Sequence, residues 1–461
     1  MYDVAIIGAG PAGLFAAYEL IENNSKLKVA LLDKGHLAKN RKCPLQVHAT
    51  SCVNCKPCAI LSGYGGAGTF SDGKLNFIPK IGKTDLFKYM TEDEAYRLID
   101  DTEEIFNKFG MDSKSYPSNM EKAQEIKKDI EEKGAKLLVI KQKHLGSDKL
   151  PIYIQNFTDY LINSGVNVFE CAEVVDVNSK SEKEFSIEYV HKNGINEIMA
   201  KNVVIAPGRT GAKWIEELVD KYSIPYFSDS IEVGVRVEVN AEIMKDITSV
   251  IYDPTIFITT PTYKDQIRTF CTNPNGFVAK ENYEGYICVN GHALKDIKSN
   301  NTNFAFISKI TLPNEFANTR SYGEHIASVA NSVGGGKPIM QRLGDLRKSK
   351  DFDRSNVGVN PTLKDYLEED LSLVLPHRII VNILEGLDIL NECIPGVNND
   401  DTILYGPEIK FFSNEIITDN NMKLKGYNMY FIGDGCGKTG NIVSAAATGL
   451  IAARDILKKV E

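Results

Sequence analysis

Four of the nine cysteines of this chain fall within the sixteen residues "CPLQVHATSCVNCKPC", from Cys43 to Cys58. Cys52, Cys55 and Cys58 stand in C-x-x-C-x-x-C spacing, which lets successive thiolates converge on one centre. A ferredoxin run of this kind adds a fourth cysteine followed by proline. Here the Cys-Pro pair, Cys43-Pro44, lies upstream and reaches back through an eight-residue loop. Four readings stand. An iron–sulfur cluster would pass single electrons. A structural Zn²⁺ would take four thiolates, because C-x-x-C knuckles suit a tetrahedral ion. A redox dithiol needs two of the thiols, although disulfide reductases use C-x₄-C on a helix. A packing or loop role needs no metal, and a polar stretch with Lys42, Lys56 and Pro57 suits buried apolar thiols poorly. Cys171, Cys271, Cys288, Cys393 and Cys436 are scattered.

A second constellation lies at the start. "GAGPAG" places Gly8, Gly10 and Gly13 around Pro11 and Ala12, directly after the strand-like "YDVAIIG" and at the head of the helical "PAGLFAAYELIEN". Gly8 permits a tight turn, Gly10 lets the backbone approach a pyrophosphate, and Gly13 lets helix and strand pack closely. The phosphates would then meet free N–H groups at a positive helix end. The strand "KVALLDK" ends on Asp33, twenty residues after Gly13, whose carboxylate can accept ribose hydroxyls and disfavours a 2′-phosphate. Lys34 and Val174 join this adenosine end.

The far end of the chain selects FAD over NAD. "MYFIGDGCGKTGNIVSAAATGLIAARDIL" reads as a strand, a turn with Gly433, Asp434 and Gly440, and a helix that opens near Asn441 and Ile442. In FAD proteins such an aspartate meets the ribityl chain and the helix N-terminus faces the flavin, where its dipole favours the anionic reduced form. "NVVIAPGRTG", with Pro207 and Gly208, matches the strand-then-Gly segment that passes near the cofactor. "GDGCGKTG" lacks the G-x-x-x-x-G-K-[ST] spacing of a P-loop, so nucleoside triphosphate binding is rejected.

These segments need elements to hold them. At 461 residues the chain is too long for one simple core, and 43% hydrophobic with 25% charged residues is an ordinary globular balance. The net charge of −8 and the lack of a basic tract argue against nucleic acid. No apolar run suggests a membrane span, no signal peptide is evident, and the cytoplasm is the expected compartment. The first residues form one βαβ unit. Helical spacing follows, with Leu98, Thr102, Ile105 and Phe109 on one stripe ending at Gly110. Ser118 and Glu121 read as a capping box for a helix closed by Gly134. Strands dominate 166–207 and 230–312, helices are expected at 323–332 and 376–392, and a last helix at about 441–459. We expect a discontinuous FAD-binding domain (1–83, 151–222 and 401–461), a helical insertion (84–150) and a cap or substrate domain (223–400).

Taken together, "GYGGAGTFSDGKL", "HLGSDKL", "VVIAPGRTGAKW", "GVRVE", "RTFCTNPNGFV", "VNGHA" and "YGPEIKF" resemble bacterial FAD-dependent dehydrogenases of the glutathione-reductase-like flavoprotein superfamily. The resemblance spans nearly the whole chain and implies FAD and redox chemistry, with no particular substrate. It implies an α/β fold: a Rossmann FAD-binding domain with parallel sheet and β-meander, carrying an inserted strand-rich α+β domain. Gly66, Ser71, Asp72, Gly73 and Lys74 would lie beside the flavin. Arg268, Cys271 and Asn275 are substrate-facing candidates. Arg268 can hold a carboxylate bidentately or pair with a buried glutamate such as Glu238 or Glu408. Lys410 and Glu408 fit a pocket or a structural ion pair. His144 is a candidate general acid or base or a hydrogen-bonded loop histidine, and His292 is similar. The expected reaction is hydride transfer between flavin N5 and a small organic molecule. The alternatives are a ferredoxin- or cluster-linked reductase, and an electron-transfer or redox-sensing flavoprotein without a small substrate. A nicotinamide is the other candidate donor.

Overall fold

The computed structural model describes residues 1–44, 53, 55–71, 73–146, 149–192, 194–227, 230–283, 285–294, 296–312, 319–348 and 358–460. They form two compact units. Met1–Ser113, Leu145–Ser228 and Phe412–Glu461 make one, and Lys114–His144 with Asp229–Phe411 make the other. The stretch 84–150, read above as one insertion, is shared: the helix Glu92–Lys108 belongs to the first unit and 114–144 to the second.

In the first unit, Tyr2–Ile7 is a central parallel strand. Its continuous apolar run follows from burial on both faces, with Val4, Ala5 and Ile6 fully buried. Val29–Leu32 lies on one side of it and the end of Gly194–Ile205 on the other, both parallel. Asn167–Phe169 and Met429–Phe431 extend the parallel core. Glu173–Ser181, Glu184–His191 and the start of Gly194–Ile205 form an antiparallel meander. Register is the feature that matters. Ile7 stands level with Leu32 and Ile205, and Ile205 with Phe431, so these four strands end on one edge.

Helix Pro11–Asn23 packs against the closing helix Ile442–Val460 so tightly that a Cβ on Gly449 would lie 2.2 Å from the Ala12 carbonyl oxygen. This close approach explains the small-residue run "SAAATGL". Helix Glu92–Lys108 begins with a capping box between Thr91 and Glu94, and its stripe Leu98, Thr102 and Ile105 is buried along with Phe109.

The second unit is built on an eight-stranded, mostly antiparallel sheet. Ile231–Asn240 sits inside it, between Asn301–Ile310 and Ile403–Lys410. Alternation decides its two faces. Ile231, Val233, Val235, Val237 and Val239 enter an apolar core with residues of helix His377–Cys393. Glu232, Arg236 and Glu238 point the other way and are also buried. Helix Met120–Glu132 is capped by Asn119, which accepts from the Lys122 N–H, and the expected Ser118 cap is a correction. Ser118 instead donates from Oγ to the Ser249 carbonyl and from its N–H to the Val250 carbonyl, both at 2.8 Å. Among the described residues no helix is long and apolar enough to cross a membrane.

Candidate functional site

The common strand edge of the first unit gathers the segments singled out from sequence. Gly8 follows Ile7 at φ +103°, and a Cβ there would sit 2.0 Å from the Ala206 carbonyl oxygen. A Cβ on Gly13 would lie 1.9 Å from the Gly8 oxygen. Both glycines therefore serve close packing. Gly10 differs: its φ is −71°, and a Cβ would meet only Gly66 Cα, at 3.9 Å. That glycine leaves room beside the N-terminus of a helix with Pro11 in its first turn, an anion-binding arrangement. Gly208, at φ +65°, also faces space with nothing within 4 Å of a built Cβ.

Asp33 leaves the neighbouring strand. Its two carboxylate oxygens accept the Ala9 N–H at 2.9 Å and the Gly35 N–H at 2.8 Å, which fixes the group while leaving lone pairs for ribose hydroxyls. Lys34 Nζ is 3.5 Å from the Thr210 oxygen, and Val174 is half-buried in the meander. Pro207 precedes Gly208 and packs under Gly211. At the far segment, Gly433 has φ +73° and Asp434 accepts from the Thr439 hydroxyl, with Arg209 Nε 3.8 Å away. Asn441 caps the closing helix by accepting the Ser444 N–H at 2.9 Å, and the Gly440 N–H donates to Thr84 Oγ1. Ile442 lies against Gly68. Gly66 is at φ +63°; Ser71 donates to the Gly68 oxygen and accepts the Gly73 N–H; Lys74 starts the strand Lys74–Phe77. Asp72 lies outside the described residues. These residues fit an FAD: open space at the two glycines, an acceptor for ribose, and two helix N-termini.

Two buried cations were not found from sequence. Arg41, 5% exposed, donates from Nε to the Ala59 oxygen, from Nη1 to the Tyr64 and Gly66 oxygens and to Thr69 Oγ1, and from Nη2 to the Ile60 oxygen. Burial holds it down to about 10. Lys438, 4% exposed, donates to the Ile416 oxygen and to Thr418 Oγ1, and burial pulls it down to about 8. Each sits in a polar loop whose composition reads as solvated, so pattern alone gives no signal. Cys436 is buried in the same turn, its Sγ 3.3 Å from the Ile205 oxygen, and burial pushes its thiol up to about 12.

Cys43 and Cys58 are half-buried and Cys55 is exposed, all as free thiols. Cys52 lies outside the described residues. Among the described residues these three form no close group of ligand atoms.

In the second unit the buried polar face is a ladder of ion pairs. Arg268 grips Glu232 with Nε at 2.9 Å and Nη2 at 2.7 Å. Sequence reasoning offered Glu238 or Glu408 as its buried partner; register gives Glu232 instead. Arg236 takes Glu408, and also donates to the Cys271 oxygen and to Asn303 and Asn290. Glu238 accepts from the Tyr405 and Thr362 hydroxyls. Burial opposes ionisation of both paired glutamates. Arg268, with Lys410 and Lys309, still holds Glu232 below the usual range, whereas burial pushes Glu408 up to about 7. Arg268 and Lys410 Nζ both lie against the Phe270 ring, at 4.6 and 3.9 Å from its centroid. Arg268 Nη1 is buried without an acceptor among the described residues. Cys271 and Asn275 take φ of +51° and +52° where the strand shifts register after Phe270. His144 stacks on Tyr252, whose hydroxyl is 3.3 Å from Nε2, and His292 stacks on Phe277.

Residues 2–216 match the family described as pyridine nucleotide-disulphide oxidoreductase. Residues 230–410 match the FAD-dependent protein, C-terminal domain-like family. An uncharacterised protein of Clostridium beijerinckii is 24% identical over 99% of this chain and 81% of its own length. Among solved structures, a flavoprotein/dehydrogenase from Cytophaga hutchinsonii is 12% identical, covering all of this chain and 78% of that one, with a TM-score of 0.40. The E. coli quinol fumarate reductase FrdA is 12% identical, covering 99% and 70%, with a TM-score of 0.46.

Proposed function

We infer, from the premise that this chain is an FAD-dependent oxidoreductase of the glutathione-reductase-like flavoprotein superfamily, that it acts on a small organic substrate bearing a carboxylate or similar anion. When bound, FAD supplies hydride chemistry at N5. The chain's own residues bind and orient. Gly8 to Gly13 would seat the pyrophosphate, Asp33 the ribose, and Asp434 with the Asn441-capped helix the flavin half.

The observation that carries the substrate class is Arg268 Nη1, a buried donor with no acceptor among the described residues, beside Phe270 and Lys410. Leaving such a donor unpaired costs about 1–3 kcal/mol, and an anionic substrate oxygen relieves that cost. Glu232 takes the other two guanidinium nitrogens, Nε and Nη2, and keeps the group fixed.

The test is an anaerobic screen of flavin reduction and reoxidation with carboxylate and neutral compounds, using NADH, NADPH and a ferredoxin as donors. Turnover confined to anions, with KM raised about tenfold in Lys410→Met, supports the reading. Turnover of neutral compounds alone, or an unchanged KM, overturns it. Electron exchange with proteins and dyes only would identify a carrier without a small substrate.

A second reading, the cluster-linked reductase, draws on Arg41. One guanidinium binds carbonyls just after Cys58 and carbonyls of the Gly66 loop, which joins the cysteine segment to the flavin segment. Iron, zinc and acid-labile sulfide analysis of anaerobically purified protein decides it: stoichiometric sulfide supports an iron–sulfur centre on Cys43, Cys52, Cys55 and Cys58, and zinc without sulfide a structural knuckle.

A further inference from the structure

We propose that His36, Glu170 and Cys171 of the first unit bind a single divalent cation of the zinc class, with one coordination position open. No step of the oxidoreductase reading uses these side chains, and none of them belongs to the run from Cys43 to Cys58.

Topology brings them together. Leu32 stands level with Phe169 in the parallel pairing, so the turns that follow each strand leave the sheet side by side. The turns are then laced. The Asp33 N–H donates to the Phe169 oxygen at 3.0 Å, the Cys171 N–H to the Gly35 oxygen at 3.0 Å, and the Ala172 N–H to the Asp33 oxygen at 2.8 Å. The Leu37 N–H donates to Glu170 Oε2 at 3.1 Å, which holds the carboxylate beside the imidazole. Three ligands from two turns are thus positioned by backbone bonds before any ion arrives.

The spacing suits a small tetrahedral ion. All three ligand atoms lie within 4.8 Å of one another. His36 Nδ1 is 3.2 Å from Cys171 Sγ and 3.5 Å from Glu170 Oε2. Bonds of about 2.0–2.3 Å at tetrahedral angles require ligand separations of about 3.4–3.6 Å. The two separations from His36 are within a few tenths of an ångström of these values, and the Glu170–Cys171 separation, within 4.8 Å, closes by side-chain rotation. The donors are one nitrogen, one sulfur and one oxygen, a set that selects zinc-like ions over magnesium or calcium. The His36 and Glu170 side chains are 54% and 37% exposed, so the ion has an entry path and water can take the fourth position. A nucleophilic Cys–His pair is the competing use of these groups. A Cys–His pair alone has no use for the Glu170 carboxylate held beside the imidazole, whereas a dication takes all three groups as ligands.

The experiment uses the FAD-loaded protein, reduced and stripped with a chelator, titrated with Co²⁺. One equivalent should bind with d–d bands to the red of the flavin absorption and a thiolate charge-transfer band. Those bands should survive Ser substitution of Cys43, Cys52, Cys55 and Cys58 together. They should vanish in Cys171→Ser, and Co²⁺ affinity should fall at least about tenfold in Glu170→Gln. Circular dichroism and FAD content show that each variant is folded, and Glu170→Gln serves if Cys171→Ser is not. Bands unchanged in both variants, or bands lost with the four-cysteine variant alone, overturn the proposal.

Discussion

Gly10→Ala should leave the fold intact and remove the cofactor. A Cβ at this position meets only Gly66 Cα, at 3.9 Å, and the φ of −71° suits any L-residue. The apoprotein should therefore unfold within about 0.5 kcal/mol of wild type. The added methyl occupies the space through which a pyrophosphate reaches the backbone N–H groups. Two charge-assisted hydrogen bonds lost, at about 1.5 kcal/mol each, amount to about 3 kcal/mol, or FAD binding weaker by about two orders of magnitude. Gly8→Ala is the contrast. Its φ of +103° disfavours any side chain, and its Cβ would stand 2.0 Å from the Ala206 carbonyl oxygen. Backbone must move, and stability should fall by about 3 kcal/mol or more. Urea unfolding of the apoproteins measures the first quantity, and flavin fluorescence titration the second. If Gly10→Ala bound FAD with wild-type affinity, or destabilised the apoprotein as much as Gly8→Ala, the assignment of the site would be refuted.

Arg41→Met should cost about 3 kcal/mol or more in urea unfolding, because it strands four buried or half-buried carbonyls, and Arg41→Lys should recover only part of it; full recovery by lysine would show that the fork geometry is irrelevant. Arg268→Met leaves Glu232 buried and unpaired and should cost about 3–5 kcal/mol, while Arg268→Met with Glu232→Leu should restore most of that. A double variant no more stable than the single would sink the ion-pair reading. Lys438 is held down to about 8 from 10.5 by burial, so between these values the unfolded chain binds the extra proton. Its contribution to stability is then full above pH 10.5 and lost as pH falls to about 8, a difference of about 3 kcal/mol. Unfolding across that range in wild type and Lys438→Met measures the slope, which should be absent from the variant.

The turn and strands of the first unit were legible because their signals are local. Gly8, Gly10 and Gly13 act within six residues, and the apolar run of Tyr2–Ile7 announces a strand buried on both faces. The alternation in "EVGVRVEV" likewise announces two faces, one of them charged. The capping residue was misplaced by one position because Ser118 and Asn119 are both good caps, and the Ser118 hydroxyl is engaged by the Ser249 carbonyl instead.

Which charge meets which was decided by tertiary structure. Arg268 and Glu232 are 36 residues apart and Arg236 and Glu408 are 172 apart. Strand register sets both pairings, and a shift of one residue would turn each side chain to the opposite face. Arg41 and Lys438 were invisible for the same reason: a cation in a polar loop is known as buried only once the loop is seen folded over it. His36 and Cys171 lie 135 positions apart and meet because two parallel strands end level. The amino-acid order determined the periodicities, the glycine turn and its helix, since those depend on neighbours in sequence. The pairings that carry charge across the sheet depend on contacts between distant segments, and only their packing chose among them.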